Sequence, residues 1–292
     1  MKIILLGSNG QLGWEFKQFL KDKVELFSFT HRELDVLNLN SLERNFQEIH
    51  PDVVINCAAY TKVDKAEEEQ ELAYNINAIG AKNVSLASYK VNAKVIYFST
   101  DYVFDGKKSI PYTEMDEPTP ISVYGKSKLR GEQFTKEANP NHLILRITWL
   151  YGINGNNFVK TIIKLAKGSK PLRVVDDQYG TPTYTLDVVK QTWELIRNGK
   201  IGLYHSSNNG EATWFEFAKE IISNLNLKAA IVPISTEDYL TLAKRPQYSV
   251  LENHLLKLEN LDIMRGWKEA LKDFTNNYKE QLLNEGFNRS IK

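Results

Sequence analysis

Tyr124 and Lys128 stand four positions apart in Tyr124-Gly125-Lys126-Ser127-Lys128, at what reads as the start of a helix. On a helix that spacing puts both side chains on one face, with the ammonium close to the phenol. A free tyrosine has a pKa of about 10, too high for easy proton exchange near neutrality, and a neighbouring ammonium lowers it by favouring phenolate. Such a phenol can hand a proton to an alkoxide as it forms. A solvated helix tolerates the same pair by chance, so the chemistry rests on what stands upstream. There an apolar run at residues 94–98 ends in Ser99-Thr100-Asp101-Tyr102. Hydroxyls at the carboxyl end of a parallel strand lie where open α/β sheets bind ligands. Thr100 can donate to a carbonyl oxygen, an interaction that strengthens as negative charge develops there. Ketone reduction of this kind also needs a hydride donor held beside the carbonyl.

The elements that would hold such a donor come first in the chain. A short apolar run, Ile3 to Leu6, leads into Gly7-Ser8-Asn9-Gly10-Gln11-Leu12-Gly13, and Trp14, Phe16, Phe19 and Leu20 then mark an amphipathic helix. Glycine removes the Cβ that would block a pyrophosphate from backbone N–H groups and a helix N-terminus. The spacing is GxxGxxG, not the better-known GxGxxG, and it also suits a plain tight turn. After a second strand at residues 24–29, the loop Thr30-His31-Arg32-Glu33-Leu34-Asp35-Val36 should meet the adenosine end. His31 and Arg32 favour the 2′-phosphate of NADPH, while Glu33 and Asp35 leave NADH open. A helix is expected at 42–49. A buried strand from 53 then opens into Asn56-Cys57-Ala58-Ala59-Tyr60, whose small side chains leave room for a flat ligand. The acid-rich run from Ala66 to Glu71 reads as solvated first turns of a helix, without chemistry. Helical periodicity continues over 72–89 and includes Asn77-Ala78-Ile79-Gly80, which a simple packing helix does not require.

The 292 residues are 42% hydrophobic and 25% charged, ordinary for a globular chain with a sizeable core. A net charge of +1 gives no bulk field for nucleic acid or an acidic membrane surface. A single cysteine, Cys57, excludes an intramolecular disulfide and a cysteine-rich metal site, and fits a reducing, cytoplasmic compartment. The N-terminal apolar run is too short for a signal peptide or a membrane span. Strands and helices alternate to about residue 150, which predicts an α/β fold: a Rossmann-type, doubly wound parallel sheet. Residues 1–150 are therefore read as the dinucleotide-binding domain, with segments around 185–200 returning to it. Residues 151–292 are read mainly as a smaller C-terminal substrate-binding domain. The residues after about Glu285 are read as a tail.

Taken together, Gly7-x-x-Gly10-x-x-Gly13, Asn77-x-x-Gly80, Ser99-Thr100 and Tyr124-x-x-x-Lys128 resemble the extended short-chain dehydrogenase/reductase family. Within it the chain is most similar to members that reduce dTDP-4-dehydro-L-rhamnose. The shared stretches are Gly10-Gln11-Leu12-Gly13-Trp14-Glu15, Asn56-Cys57-Ala58-Ala59-Tyr60-Thr61-x-Val63-Asp64-x-Ala66-Glu67, Ser99-Thr100-Asp101-Tyr102-Val103-Phe104-x-Gly106, Tyr124-Gly125-x-x-Lys128-x-x-Gly131-Glu132 and Asp177-Gln178-x-Gly180-x-Pro182-Thr183. The resemblance implies NADPH-dependent reduction of a 4-keto group, with NADH as the other possible donor. Thr100, Tyr124 and Lys128 would be the catalytic group. Gly7, Asn9, Gly10, Gln11, Leu12, His31, Arg32, Asp35, Val36, Ala58, Ala59, Tyr60 and Asn77 would surround the cofactor, together with Tyr124 and Lys128. Val63, Tyr102 and Trp149 would face the deoxysugar beside Thr100, and Asn157 and Arg245 would lie near the nucleotide diphosphate. A guanidinium also suits phosphate oxygens in bidentate geometry.

The implied partner is a nucleotide sugar, with no nucleic acid and no membrane, and a homodimer is compatible with the resemblance. Some family members are Mg²⁺-bridged dimers that use several glutamates. Glu15 matches one of these, but the region of Leu186-Asp187 lacks the corresponding glutamate, so no metal is expected. Two other readings stay open: a reductase or epimerase of another nucleotide sugar, and a non-catalytic NADP-binding regulatory subunit of the same fold.

Overall fold

The computed structural model describes residues 1–284, so the tail expected after Glu285 lies outside the described residues. The first half alternates as β1 (Lys2–Leu6), α1 (Gln11–Leu20), β2 (Glu25–Phe29), α2 (Leu39–Ile49), β3 (Val53–Asn56), α3 (Val63–Glu68), α4 (Gln70–Tyr74), α5 (Ala81–Lys90), β4 (Lys94–Thr100), α6 (Val123–Ala138) and β5 (His142–Ile147). The second half adds β6 (Leu150–Tyr151), α7 (Phe158–Ala166), β7 (Leu172–Val175), β8 (Tyr179–Gly180), β9 (Thr183–Tyr184), α8 (Thr185–Arg197) and β10 (Gly202–His205). It ends with β11 (Ala212–Thr213), α9 (Trp214–Leu225), β12 (Ile231–Ile234), α10 (His254–Leu258), α11 (Trp267–Asn277) and α12 (Lys279–Asn284).

Six strands form one parallel sheet in the order β10-β5-β4-β3-β1-β2. Helices cover both faces, which is why β1, β3 and β4 read as near-continuous apolar runs rather than alternating ones. The chain leaves β1 outward to β2, then returns to the other side of β1 as β3. That reversal opens a crevice at the carboxyl ends of β1 and β3, the place where such sheets take ligands. Strand β4 runs longer than β3, whose Asn56 pairs with Tyr97, so Thr100 projects past the rim.

The second half contributes to both cores. Val188, Val189, Leu195 and Ile196 of α8, Tyr204 of β10 and Leu256 of α10 pack with Ile3, Phe16 and Ile96 under the main sheet. A separate core gathers Tyr151, Val159, Ile162, Tyr184, Phe217, Ile221, Leu271 and Phe274, and Trp149 and Trp214 lie at its edge.

Three expectations change in detail. Helix α2 starts at Leu39, earlier than residue 42, because the Asn38 side chain accepts from Ser41 N–H and caps it. The helix expected over 72–89 is interrupted by a π turn at Asn75–Gly80. Finally, the acidic run is not purely solvated: Glu67 accepts the Val123 N–H at 2.9 Å, and Glu69 accepts the Tyr60 hydroxyl.

Candidate active site

The glycine turn is built for close approach. Gly7 has φ +72°, and a Cβ there would lie 2.8 Å from the Ala58 nitrogen, while one on Gly13 would lie 2.2 Å from the Gly7 carbonyl oxygen. Gly10 occupies the N-cap of α1 without any side-chain cap, so the first N–H groups of that helix are left to an anion. Gln11 and Leu12 open the helix, Leu12 buried in the core below. The exposed Asn9 carbonyl accepts from Asn154 at 2.9 Å, tying the later loop to the turn. Around the adenosine loop, Glu33 accepts the Thr30 N–H at 2.7 Å and Asp35 accepts the Leu37 N–H at 3.0 Å. His31 lies 3.5 Å from Asp35, Arg32 is exposed, and Val36 is buried. Both acids accept from the loop's own backbone, and the Arg32 guanidinium is exposed beside them.

The π turn explains Asn77. This fully buried amide accepts the Tyr60 N–H at 2.8 Å, donates to the Tyr60 carbonyl at 3.0 Å and donates to Ser127 Oγ at 3.0 Å. Ser127 in turn donates to the Tyr124 carbonyl. One side chain thus pins the Ala58-Ala59-Tyr60 loop to the first turns of α6. A π turn at a functional site is a recurrent device for aiming such a residue.

Helix α6 begins at a Ser122 cap that accepts the Gly125 N–H at 3.1 Å, which sets Tyr124 and Lys128 in its first two turns. The Tyr102 and Tyr124 rings meet edge to face with centroids 5.7 Å apart, and Thr100 is near enough to the Tyr124 hydroxyl to favour its ionised form. Thr100 Oγ1 also donates to the buried Asp101 carboxylate at 3.0 Å. Lys128 is buried, its Nζ donating to the Phe98 carbonyl and lying 4.2 Å from the centre of the Tyr97 ring. Four residues on, Glu132 forms a two-pronged ion pair with Arg146 of β5 at 2.9 and 2.8 Å, both partners almost wholly buried.

These surroundings revise one expectation. Burial pushes the Tyr124 phenol well above the ordinary tyrosine range, the nearby Thr100 hydroxyl works against that rise, and Asp101 adds to it. Burial likewise pulls Lys128 down to about 7, opposed by Glu132 and Cys57. Asp101 is raised to about 6, again by burial first, against the pull of nearby hydroxyls, of which Thr100 donates to it at 3.0 Å. The expected lowering of the phenol by the ammonium does not show: burial of the phenol dominates, and Lys128 is turned to the Phe98 carbonyl and the Tyr97 ring. Residue spacing carries no information on how dry a site is.

Across the cleft, Val63 starts α3, and the next residue, Asp64, holds Arg245 in a two-pronged pair at 3.1 and 2.8 Å. Arg245 and Asp64 are both close enough to Tyr102 to influence its hydroxyl. The guanidinium expected at a diphosphate is thus already oriented by a carboxylate from the opposite half of the chain. Trp149 lies at the edge of the second core, two residues beyond the end of β5. Asn157 caps α7 through the Lys160 N–H, and its amide hydrogens go to Gln11 Oε1 at 2.8 Å and the Gly152 carbonyl at 2.7 Å. Its contacts are those of a joint between the glycine turn and α7. Sequence reasoning gave no role to Glu132, Arg146 or Trp214. Glu132 carried a signal, since it sits one turn after Lys128 on the same helix face.

Among the described residues no group of three or more His, Cys, Asp or Glu is placed to hold a metal ion. Glu15 is buried and accepts the Thr185 hydroxyl at 2.8 Å. Asp187 is spoken for by Arg265 and by Asn208 at 2.8 Å. Nor is any helix among the described residues long and apolar enough to cross a membrane.

A glycine turn at the switch point of a parallel sheet, with a strand-end threonine and a tyrosine–lysine helix beside it, defines the short-chain dehydrogenase/reductase class of Rossmann-type proteins. Comparison with known proteins narrows this. Residues 1–280 match the profile of the RmlD substrate binding domain, and the chain belongs to that family. It is 39% identical over 274 residues to the spore coat polysaccharide biosynthesis protein SpsK of Bacillus subtilis (strain 168), covering 94% of this chain and 96% of that one. The crystal structure of a dTDP-4-dehydrorhamnose reductase from Clostridium acetobutylicum superposes with a TM-score of 0.94 at 47% identity, covering 96% of this chain and 100% of that one. That of the dTDP-4-dehydrorhamnose reductase from Bacillus anthracis, in complex with NADP, gives 0.93 at 45% identity, covering 94% and 99%.

Proposed function

We propose that the protein is an NADPH-dependent reductase that converts the 4-keto group of dTDP-4-dehydro-L-rhamnose to the alcohol of dTDP-L-rhamnose. The observation that carries this reading is the placement of Tyr124 and Lys128 in the first turns of α6 beside Thr100 at the carboxyl end of β4, next to the tight glycine turn at the switch point of the sheet. Near-full-length similarity to dTDP-4-dehydrorhamnose reductases supports the substrate.

The crevice fits the cofactor: with no Cβ on Gly7 the turn sits tight against the Ala58 backbone, the α1 N-terminus is uncapped, and exposed Arg32 suits a 2′-phosphate. When bound, NADPH supplies the hydride that adds to the C4 carbonyl carbon. Tyr124 donates its proton to the oxygen as negative charge builds there, becoming phenolate. A phenol with a raised pKa holds its proton until that oxygen is the stronger base. Thr100 steadies the same oxygen once its hydroxyl proton turns to it from Asp101. Lys128, in its charged form, would stabilise the phenolate that is left, and that phenolate in turn favours the ammonium. Arg245, held by Asp64, and Tyr102, against the Tyr124 ring, line the sugar-nucleotide side. A cytoplasmic location follows from the same reading, supported by the single free thiol at Cys57.

The test is a stoichiometric balance of NADPH consumed against dTDP-4-dehydro-L-rhamnose converted. One NADPH oxidised per sugar reduced is the expected outcome. Conversion without net oxidation would identify an epimerase, and no conversion would remove the substrate assignment.

A further inference from the structure

We infer that Trp214 and Gly180 are positioning residues that set where the Trp149 indole stands, and through it the affinity for the deoxysugar. This rests on the reading above, in which Trp149 faces that sugar. Trp149 has φ +42°, a left-handed conformation that a bulky side chain adopts only when its surroundings over-determine it. The surroundings are specific. The Trp214 ring lies against the Trp149 ring with centroids 3.4 Å apart and planes 6° from parallel, a full face-to-face stack. Gly180 also presses on it, for a Cβ there would stand 2.3 Å from Trp149 Cε2 and 2.4 Å from Nε1. Both constraints come from one short pairing: β8 and β11 run antiparallel with Gly180 opposite Ala212, which delivers Trp214 two residues later. Trp214 is itself fixed, since Thr213 and Glu216 form a reciprocal capping box at the start of α9 and Phe158 backs its ring at 4.6 Å. The backbone of Trp149 is held as well, its carbonyl accepting the Thr183 N–H. The indole is thus a wall whose position is dictated by two residues outside the catalytic group.

The experiment compares the full-length wild-type protein with Trp214→Leu, Trp214→Phe and Gly180→Ala, using NADPH and dTDP-4-dehydro-L-rhamnose. Wild-type turnover is measured first, and its absence would overturn the reductase reading and the inference with it. Given turnover, Trp214→Leu and Gly180→Ala should raise the sugar-nucleotide KM about tenfold or more, with kcat and NADPH affinity nearly unchanged. Trp214→Phe should recover most of the affinity because a smaller ring still stacks. The far-ultraviolet circular dichroism couplet of the paired indoles should vanish in both Trp214 variants. If Trp214→Leu loses NADPH binding through misfolding, Gly180→Ala decides. An unchanged KM in Gly180→Ala, or equal loss in Trp214→Phe and Trp214→Leu, overturns the inference.

Discussion

The catalytic corner and the aromatic wall are built on opposite principles. The corner, at the meeting of β4, α6 and the π turn, is a buried polar network: Asn77, Ser127, Thr100, Asp101, Lys128, Glu132 and Arg146 are each nearly inaccessible. Glu132 and Arg146 compensate each other there, and position is set by hydrogen bonds. The wall of Trp149, Trp214 and Phe158 is apolar and only partly buried, and position is set by shape. The difference suggests a division of labour, in which the polar corner governs bond making and the wall governs which sugar stays. A polar network is costly to break at any member, whereas a stacked wall loses affinity gradually.

The largest effect should come from Arg146→Met. Removing the guanidinium strands Glu132, which is 1% exposed, as an uncompensated buried charge and should cost about 3–5 kcal/mol of stability by chemical denaturation. The double variant Glu132→Leu/Arg146→Met should regain much of that. The contrast between corner and wall breaks if Arg146→Met is no less stable than Trp214→Leu. A smaller effect concerns pH. Because burial brings Lys128 to about 7, its ammonium is lost as pH rises through that value in the free protein, and kcat/KM for NADPH should fall above about pH 7. The alkaline limb of kcat should lie higher, since the phenolate formed at Tyr124 would favour the protonated form. Identical limbs would take Lys128 out of the electrostatic role. Smallest is Arg32→Ala, which should weaken NADPH binding by roughly tenfold while leaving NADH binding alone. Equal loss for both cofactors would place Arg32 elsewhere than at the 2′-phosphate.

Corner and wall also differ in how far the sequence exposes them. The parallel sheet is legible because strands covered on both faces must be continuous apolar runs, as in Ile3 to Leu6 and Val53 to Ile55. Tyr124 and Lys128 are legible because a single helix carries both, so spacing alone places them. Asn77 draws notice as a polar residue that a packing helix does not need, but the π turn that aims it leaves no mark in periodicity. The wall is hidden for a different reason. Trp149, Gly180 and Trp214 are joined by a pairing of two residues per strand, too short for any alternation to show. Nor can spacing reveal desolvation, which reverses the expected lowering of the Tyr124 pKa and depresses that of Lys128.

The sharpest single test is NADPH oxidation by wild-type protein and Tyr124→Phe, side by side with dTDP-4-dehydro-L-rhamnose, with NADPH binding measured on both. Loss of the phenolic proton should lower kcat by roughly 10²–10⁴-fold while NADPH binding is retained. Wild-type turnover in Tyr124→Phe would contradict the assignment of Tyr124 as the proton donor.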